Sequence, residues 1–203
     1  MNKFLFITGY ARSGKDTLAE FLKTDVSVLS KYSVHHLSLA GPIWEMAKEY
    51  GWDGESKDLS SRRLAITIGE TLGLELSNYT REDYAGNIIE AIKDDLLLEK
   101  KLVPDKHYWC YKLVEKIRAI PKNDNLIIIS DVRKIKEYEF FKFYMNYDIM
   151  VARVVNDRIP KIQTRTETEL DSIPFDYIVD NNGSLEDYYS EIKASLLYED
   201  LIN

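Results

Sequence analysis

One cysteine, Cys110, stands in 203 residues, so the chain can form neither an intrachain disulfide nor a cysteine-rich zinc site. Histidines number three, two of them the adjacent His35 and His36, and they offer no metal-ligand spacing. Long hydrophobic runs are missing as well. The longest, such as Phe4-Leu5-Phe6-Ile7 and Leu126-Ile127-Ile128-Ile129, have four residues, against the roughly 18 or more that a bilayer span requires. The N-terminal apolar stretch is too short for a signal peptide. Positive charge is not in excess: 27 Lys and Arg face 34 Asp and Glu, a net charge of −7. A general duplex-DNA binder usually shows a basic surplus, although a few arginines in one cleft can still hold a small anion. Neither repeats nor proline-rich linkers occur. What remains is an ordinary globular composition, 45% hydrophobic and 30% charged. It predicts a reduced, cytoplasmic, soluble domain that binds neither membrane nor nucleic acid stably.

Strands alternate with helices along the chain. Apolar, β-rich runs at Lys3–Thr8, Ser33–Leu39, Asn125–Ser130, Asp148–Val155 and Phe175–Val179 read as five strands. Helical spacing marks Asp16–Lys23, a segment opening at Gly41-Pro42, Ser60–Leu72, Arg81–Leu98, His107–Ala119, Ile135–Met145 and Leu185–Leu197. Asn182-Gly183-Ser184 reads as a turn with a helix N-cap. Apolar strands separated by helices predict a parallel sheet covered on both faces. The expected organisation is a single α/β domain with a core of residues 1–41 and 120–203. A helical insertion near 42–119 stands beside the sheet, and the polar stretch near 157–171 is a candidate lid.

Gly9-Tyr10-Ala11-Arg12-Ser13-Gly14-Lys15-Asp16-Thr17 fits G-x-x-x-x-G-K, directly after a strand and before a helix. Glycines let backbone N–H groups turn inward around a phosphate, the helix N-terminus adds positive potential, and the lysine neutralises phosphate oxygens. The pattern alone should arise by chance in roughly a few per cent of chains this long, and the strand–loop–helix context lowers that figure. The bland alternative is a glycine-rich turn that starts a helix. The position after Lys15 is Asp16, where the usual loop has Ser or Thr, and the hydroxyl follows at Thr17. The carboxylate either takes over the Mg²⁺ role of that hydroxyl or caps the helix, where acids are favoured.

Asp131-Val132-Arg133 closes the third strand at the sheet edge where open α/β sheets bind ligands. The arginine suits a bidentate phosphate contact, and the alternative is a helix cap followed by a surface arginine. Arg62 and Arg63 point about 100° apart on a helix, so at most one faces an acceptor phosphate easily. Two solvated charges would look the same. Arg153, Arg158, Lys161 and Arg165 lie around the polar stretch, where a lid would surround a transferred phosphoryl and exclude water. A plain solvated loop is the alternative. Trp44, Trp109, Tyr108 and Tyr111 suit either base stacking or packing. Cys110 reads as an inert helix residue.

Several of these blocks together resemble the phage deoxynucleoside monophosphate kinases, a branch of the P-loop nucleotide kinases. They are Arg12-Ser13-Gly14-Lys15-Asp16-Thr17, Leu39-Ala40-Gly41-Pro42-Ile43, Arg62-Arg63-Leu64 with Gly69, and His107-Tyr108-Trp109. Asp131-Val132-Arg133 and a C-terminal Thr166-Glu167, Leu170, Asp176, Asn181–Ser184 pattern complete the series. The chain differs by being shorter between Tyr50 and Arg62 and longer between Gly69 and Trp109. The resemblance implies a three-layer α/β/α P-loop sandwich with a five-stranded parallel sheet. It also implies phosphorylation of a deoxynucleoside monophosphate by ATP with Mg²⁺.

Under that resemblance ATP binds at Arg12, Ser13, Gly14, Lys15, Asp16 and Thr17, with Asp16 and Thr17 toward the metal. The acceptor meets Ala11, Ile43, Trp44, Arg62, Gly69, Glu70, Trp109, Asp131, Arg133 and Glu167. Lys15, Arg12, Arg133, Asp131, Arg158 and Arg165 carry the catalysis. The expected partners are small nucleotides, and the resemblance is compatible with a homodimer and with a host cytoplasm for a phage-encoded chain. Alternatives are another small P-loop kinase, acting on phosphomevalonate or a nucleoside, and a P-loop ATPase switch with no small acceptor.

Overall fold

The computed structural model describes residues 2–74, 91–159 and 169–203. The chain divides into two compact units. The first comprises Met1–Ser38 and Ile117–Asn203, the second Leu39–Lys116.

The first unit is built on five parallel strands in the order β2-β3-β1-β4-β5. Their ranges are β1 Asn2–Thr8, β2 Ser33–Leu37, β3 Asn125–Ile129, β4 Ile149–Val155 and β5 Tyr177–Asp180. The central strands are apolar throughout because both faces are covered. Leu5, Phe6, Ile7 and Leu126–Ile129 are fully buried. On one face Leu5, Ile7, Leu126 and Ile128 pack with Leu18, Ala19 and Leu22 of α1, Lys15–Thr24. Tyr188 and Ile192 of α7, Leu185–Ala194, and Leu197 and Leu201 of α8, Leu196–Ile202, complete that layer. On the other face Phe6 meets Tyr138 and Phe141 edge-on, and Phe4 stacks on Tyr147 with ring centroids 4.1 Å apart. Tyr138 comes from α6, Ile135–Glu139, and Phe141 from the π-helical turn that prolongs it, Phe140–Tyr144. The result is the three-layer α/β sandwich. β1 hands the chain to β2 on one side, while β3 crosses over to β4 on the other. The loops after β1 and β3 therefore diverge, which opens a crevice at the C-terminal strand ends.

Three local readings change. A one-turn helix α2, Val26–Leu29, follows α1 with Asp25 as its side-chain cap. The expected helix Leu185–Leu197 is two helices. Ser195 ends the first, bonding the Ile192 carbonyl, and caps the second by accepting from the Tyr198 N–H at 3.2 Å. Arg153 is not part of a polar lid: it lies within β4, only 8% exposed.

The second unit is helical. It contains α3, Gly41–Glu49, α4, Leu59–Gly73, a π-helical turn Asp95–Glu99 and most of α5, Tyr108–Ala119. Asp58 caps α4 by accepting from the Ser61 N–H at 2.8 Å. Ala47, Ile68, Leu72, Ile92 and Leu96 form its core, ringed by Ile43, Trp44, Trp52 and Trp109. Part of the expected helix Arg81–Leu98 lies outside the described residues, as do residues 160–168 of the expected lid. Among the described residues no helix is long and apolar enough to cross a membrane.

Candidate functional site

β1 ends at Thr8, and the chain turns through Gly9–Gly14 before α1 begins at Lys15. Three residues of this loop have positive φ: Gly9 at 144°, Arg12 at 66° and Gly14 at 106°. Residues of that kind turn N–H groups to one side, forming an anion-binding concavity at a helix N-terminus. Glycine is required at both ends. A Cβ on Gly9 would lie 2.7 Å from the Val154 carbonyl oxygen, and one on Gly14 would collide with Asn181 Nδ2. Ser13, within the loop, is 2% exposed, and its hydroxyl is a buried polar atom for which the described residues supply no partner. Such an orphan costs about 1–3 kcal/mol, and it fits a loop built around an anionic ligand.

The loop is held from behind by a segment distant in sequence. Asn181 Nδ2 donates to the Ser13 carbonyl at 2.7 Å, and the Tyr188 hydroxyl donates to the Gly14 carbonyl at 3.1 Å. Burial pushes the Tyr188 phenol well above its ordinary pKa. Asn181 itself accepts at its backbone carbonyl from Arg158 Nη2 at 2.9 Å. The sequence marks Asn181–Ser184 as a motif without assigning it a task. Tyr188, on α7, carries no sequence signal, because one tyrosine among fourteen reads as packing.

Lys15 donates from Nζ to the carbonyls of Gly9 at 2.8 Å and Tyr10 at 2.9 Å, so its ammonium spans the loop. Arg12 is exposed. Tyr10 leans outward: its hydroxyl donates to Asp171 at 2.9 Å, and that carboxylate also accepts from Arg153 Nη2 at 2.5 Å. The guanidinium lies over the rings of Tyr10 and Phe175, at 4.8 and 5.2 Å from the centroids. The bond to Asp171 raises the Tyr10 pKa. Arg153 thereby anchors the loop from β4.

Two carboxylates accept from serine hydroxyls that lie just past strand ends. Asp16, in the first turn of α1, accepts from Ser130 Oγ at 2.8 Å. Asp131, just past β3, accepts from Ser38 Oγ at 2.6 Å. The α1 cap position is Gly14, and the start of α6 is served by Glu137, whose Oε2 accepts from the N–H groups of Arg133 at 2.9 Å and Lys134 at 3.1 Å. Burial raises the Glu137 pKa. Arg133 is exposed at the crevice edge. Arg158 is exposed as well, and its Nε also donates to Asn156. Arg165 and Glu167 lie outside the described residues.

Among the described residues no three His, Cys, Asp or Glu side chains gather into a metal cage. Asp16, Thr17 and Asp131 offer only hard oxygen donors. That set fits Mg²⁺, which binds through one or two carboxylates and completes its octahedron with substrate phosphates and water.

The second unit holds the remaining sequence candidates. Trp109 donates its indole N–H to the Gly69 carbonyl at 2.9 Å, so two of them meet in helix packing. Gly69 admits Ile43, whose Cδ1 would lie 3.2 Å from an added Cβ. Trp44 lies 4.7 Å from Trp52, centroid to centroid, with Lys57 Nζ over its ring. Trp52 is an addition of the structure, since no motif of the sequence contains it. Arg62 donates from Nε to the Lys57 carbonyl at 2.7 Å and is exposed, whereas Arg63 and Glu70 are half-buried.

A glycine-bounded strand–loop–helix turn on this strand order matches the expectation of a P-loop fold. Residues 95–192 match the model of the deoxynucleotide monophosphate kinase family. The match contains Asp131, Arg133, Arg158, Asn181 and Tyr188 but begins far beyond the phosphate loop, so loop and family match are separate signals. Dephospho-CoA kinase from Campylobacter jejuni is similar over 98% of this chain and 98% of its own, at 15% identity and a TM-score of 0.50. That likeness concerns the fold, an α/β P-loop sandwich. A gluconokinase from Sinorhizobium meliloti 1021 aligns over 98% of this chain and 95% of its own, at 11% identity and a TM-score of 0.44, too low to add to the argument. No curated protein matches the chain. The deoxynucleotide monophosphate kinase match supports a nucleotide kinase, a phosphotransferase acting on small nucleotides.

Proposed function

We propose that this protein transfers the γ-phosphoryl group of ATP to a deoxynucleoside monophosphate, giving the diphosphate. The observation that carries the reading is the deoxynucleotide monophosphate kinase match over residues 95–192 in a chain whose separate residues 9–14 form a phosphate cradle. Residues Arg12–Thr17 bind the ATP phosphates through backbone N–H groups and the α1 N-terminus. Lys15 exchanges its bonds to the Gly9 and Tyr10 carbonyls for phosphate oxygens, so the loop arrives with its cation already poised over it.

Phosphoryl transfer asks little covalent chemistry of the protein and much positioning and charge. Asp16 and Thr17 hold Mg²⁺, which when bound supplies charge neutralisation at the phosphates. Asp131 and Arg133 at the β3 end receive the acceptor, the arginine in bidentate fashion. Arg158 leaves the Asn181 carbonyl to meet the transferred group, joined by Arg12 and Arg165, with Glu167 near the acceptor. Ala11, Ile43, Trp44, Arg62, Gly69, Glu70 and Trp109 are the further acceptor candidates. Trp109 would act through its ring face, since its N–H is committed to Gly69.

Incubation with ATP, Mg²⁺ and each of the four deoxynucleoside and ribonucleoside monophosphates tests the reading. Diphosphate from at least one deoxynucleotide is expected. ATP hydrolysis without any phosphorylated nucleotide would refute it, as would transfer only to a non-nucleotide acceptor.

A further inference from the structure

The aspartate that replaces Ser or Thr after the loop lysine is the chain's departure from the usual phosphate loop, and its carboxylate has a support of its own. Ser130 Oγ donates to Asp16 Oδ1 at 2.8 Å. The same hydroxyl oxygen lies 2.8 Å from His36 Nε2, contributed by β2. Ser130 is only 5% exposed, so water does not substitute for either partner. An ionised carboxylate only accepts, and a serine hydroxyl has one proton. That proton is committed to Asp16, so the bond from His36 must run the other way, from an Nε2–H. The other ring nitrogen, Nδ1, faces Glu20 Oε1 at 3.6 Å, beyond hydrogen-bond reach, and Glu20 is exposed and bonded to Lys23.

We infer that Ser130 and His36 are positioning residues: a relay His36 Nε2–H to Ser130 O–H to Asp16 turns the Asp16 carboxylate toward the β3 edge and away from its own helix. The local preference of an acid in a first helical turn is to pair with the N–H groups there. The relay holds Oδ1 against that preference and leaves the second carboxylate oxygen for a ligand. The outside donor is Ser130, just past β3, itself held by His36 of β2. The inference deepens the proposed reaction and rests on it for the consequence in turnover, whereas the relay itself rests on geometry alone.

Two measurements test it. Nitrogen-15 NMR of the imidazole rings in the nucleotide-free protein, at mildly alkaline pH, reads the tautomer whether or not the protein turns over. A neutral His36 protonated at Nε2, with its ring resonances shifted in Ser130→Ala, is expected. A ring protonated at Nδ1 overturns the relay. Phosphotransfer assays then compare Ser130→Ala, His36→Met and His36→Gln. The first two should lower kcat by about tenfold, the scale of a lost hydrogen bond to a charged group, with KM for ATP within about twofold because the loop carries the binding. His36→Gln places an amide donor near the same point and should recover most of the loss, which a merely space-filling role would not distinguish. Wild-type kcat in Ser130→Ala, in a protein that phosphorylates nucleotides, overturns the positioning role. A wild-type protein that phosphorylates nothing refutes the proposed reaction, and the tautomer then decides the relay by itself.

Discussion

Replacing Gly14 by alanine strains the phosphate loop in two separable ways. The backbone there sits at φ 106°, ψ 15°, where an L side chain costs about 1–3 kcal/mol. The new Cβ would also collide with Asn181 Nδ2 and stand 3.2 Å from Tyr188 Cε1. Asn181 must withdraw, and its 2.7 Å bond to the Ser13 carbonyl goes with it, a further loss of about 1 kcal/mol. Gly14→Ala should therefore destabilise by about 2–4 kcal/mol. Asn181→Ala alone should cost about 1 kcal/mol, since it removes the bond and leaves the Gly14 backbone unstrained. In the double variant the clash is gone and the bond can be lost only once. The combined cost should fall short of the sum by about 1 kcal/mol, a coupling of the size that touching residues show. Urea denaturation of the four proteins, followed by circular dichroism, measures the cycle. Strict additivity would mean that Asn181 does not hold the loop at Gly14. A Gly14→Ala protein as stable as wild type would refute the loop geometry itself.

Lys15→Ala should lower turnover by roughly 100-fold or more, because a charge-assisted contact to a transferring phosphoryl is lost. The melting temperature should hardly move, since Lys15 Nζ bonds the loop's own carbonyls; near-wild-type turnover would remove the kinase reading. Asp131→Asn keeps an acceptor for Ser38 and deletes the charge, so phosphotransfer should fall while thermal stability holds. A large loss of melting temperature with normal specific activity would make the residue structural. Tyr177 donates to Asp200 at 2.6 Å, and burial, with that bond, pushes its pKa up to about 12. The folded state holds this proton more tightly than the unfolded chain, whose tyrosine titrates near 10. Its contribution is thus fully present below about pH 10 and is lost as pH rises toward 12. Tyr177→Phe should flatten the fall of stability in that window, and an unchanged alkaline profile would contradict the assignment.

Sequence alone determined the features that are written in neighbouring residues. Phe4–Ile7 and Leu126–Ile129 are apolar without alternation, which already demands a strand buried on both faces, and so a parallel sheet with helices on each side. Gly9–Thr17 marked the turn between β1 and α1, because a phosphate-binding loop needs those residues in unbroken succession. The tertiary structure decided what depends on strand order. Placing β1 between β3 and β4 brings Ser130 to Asp16 across 114 positions of chain, Asn181 to Ser13 across 168 and Ser38 to Asp131 across 93. It also buries Arg153 against Tyr10 and turns a candidate lid cation into an anchor of the loop. Helix packing in the second unit gives the Trp109 indole N–H to a helix carbonyl. Periodicity and propensity describe how a segment lies against its own neighbours. A hydroxyl, an amide or a guanidinium takes its partner from whichever strand or helix end the fold sets beside it, and that neighbour is not written within a few residues of the group it holds.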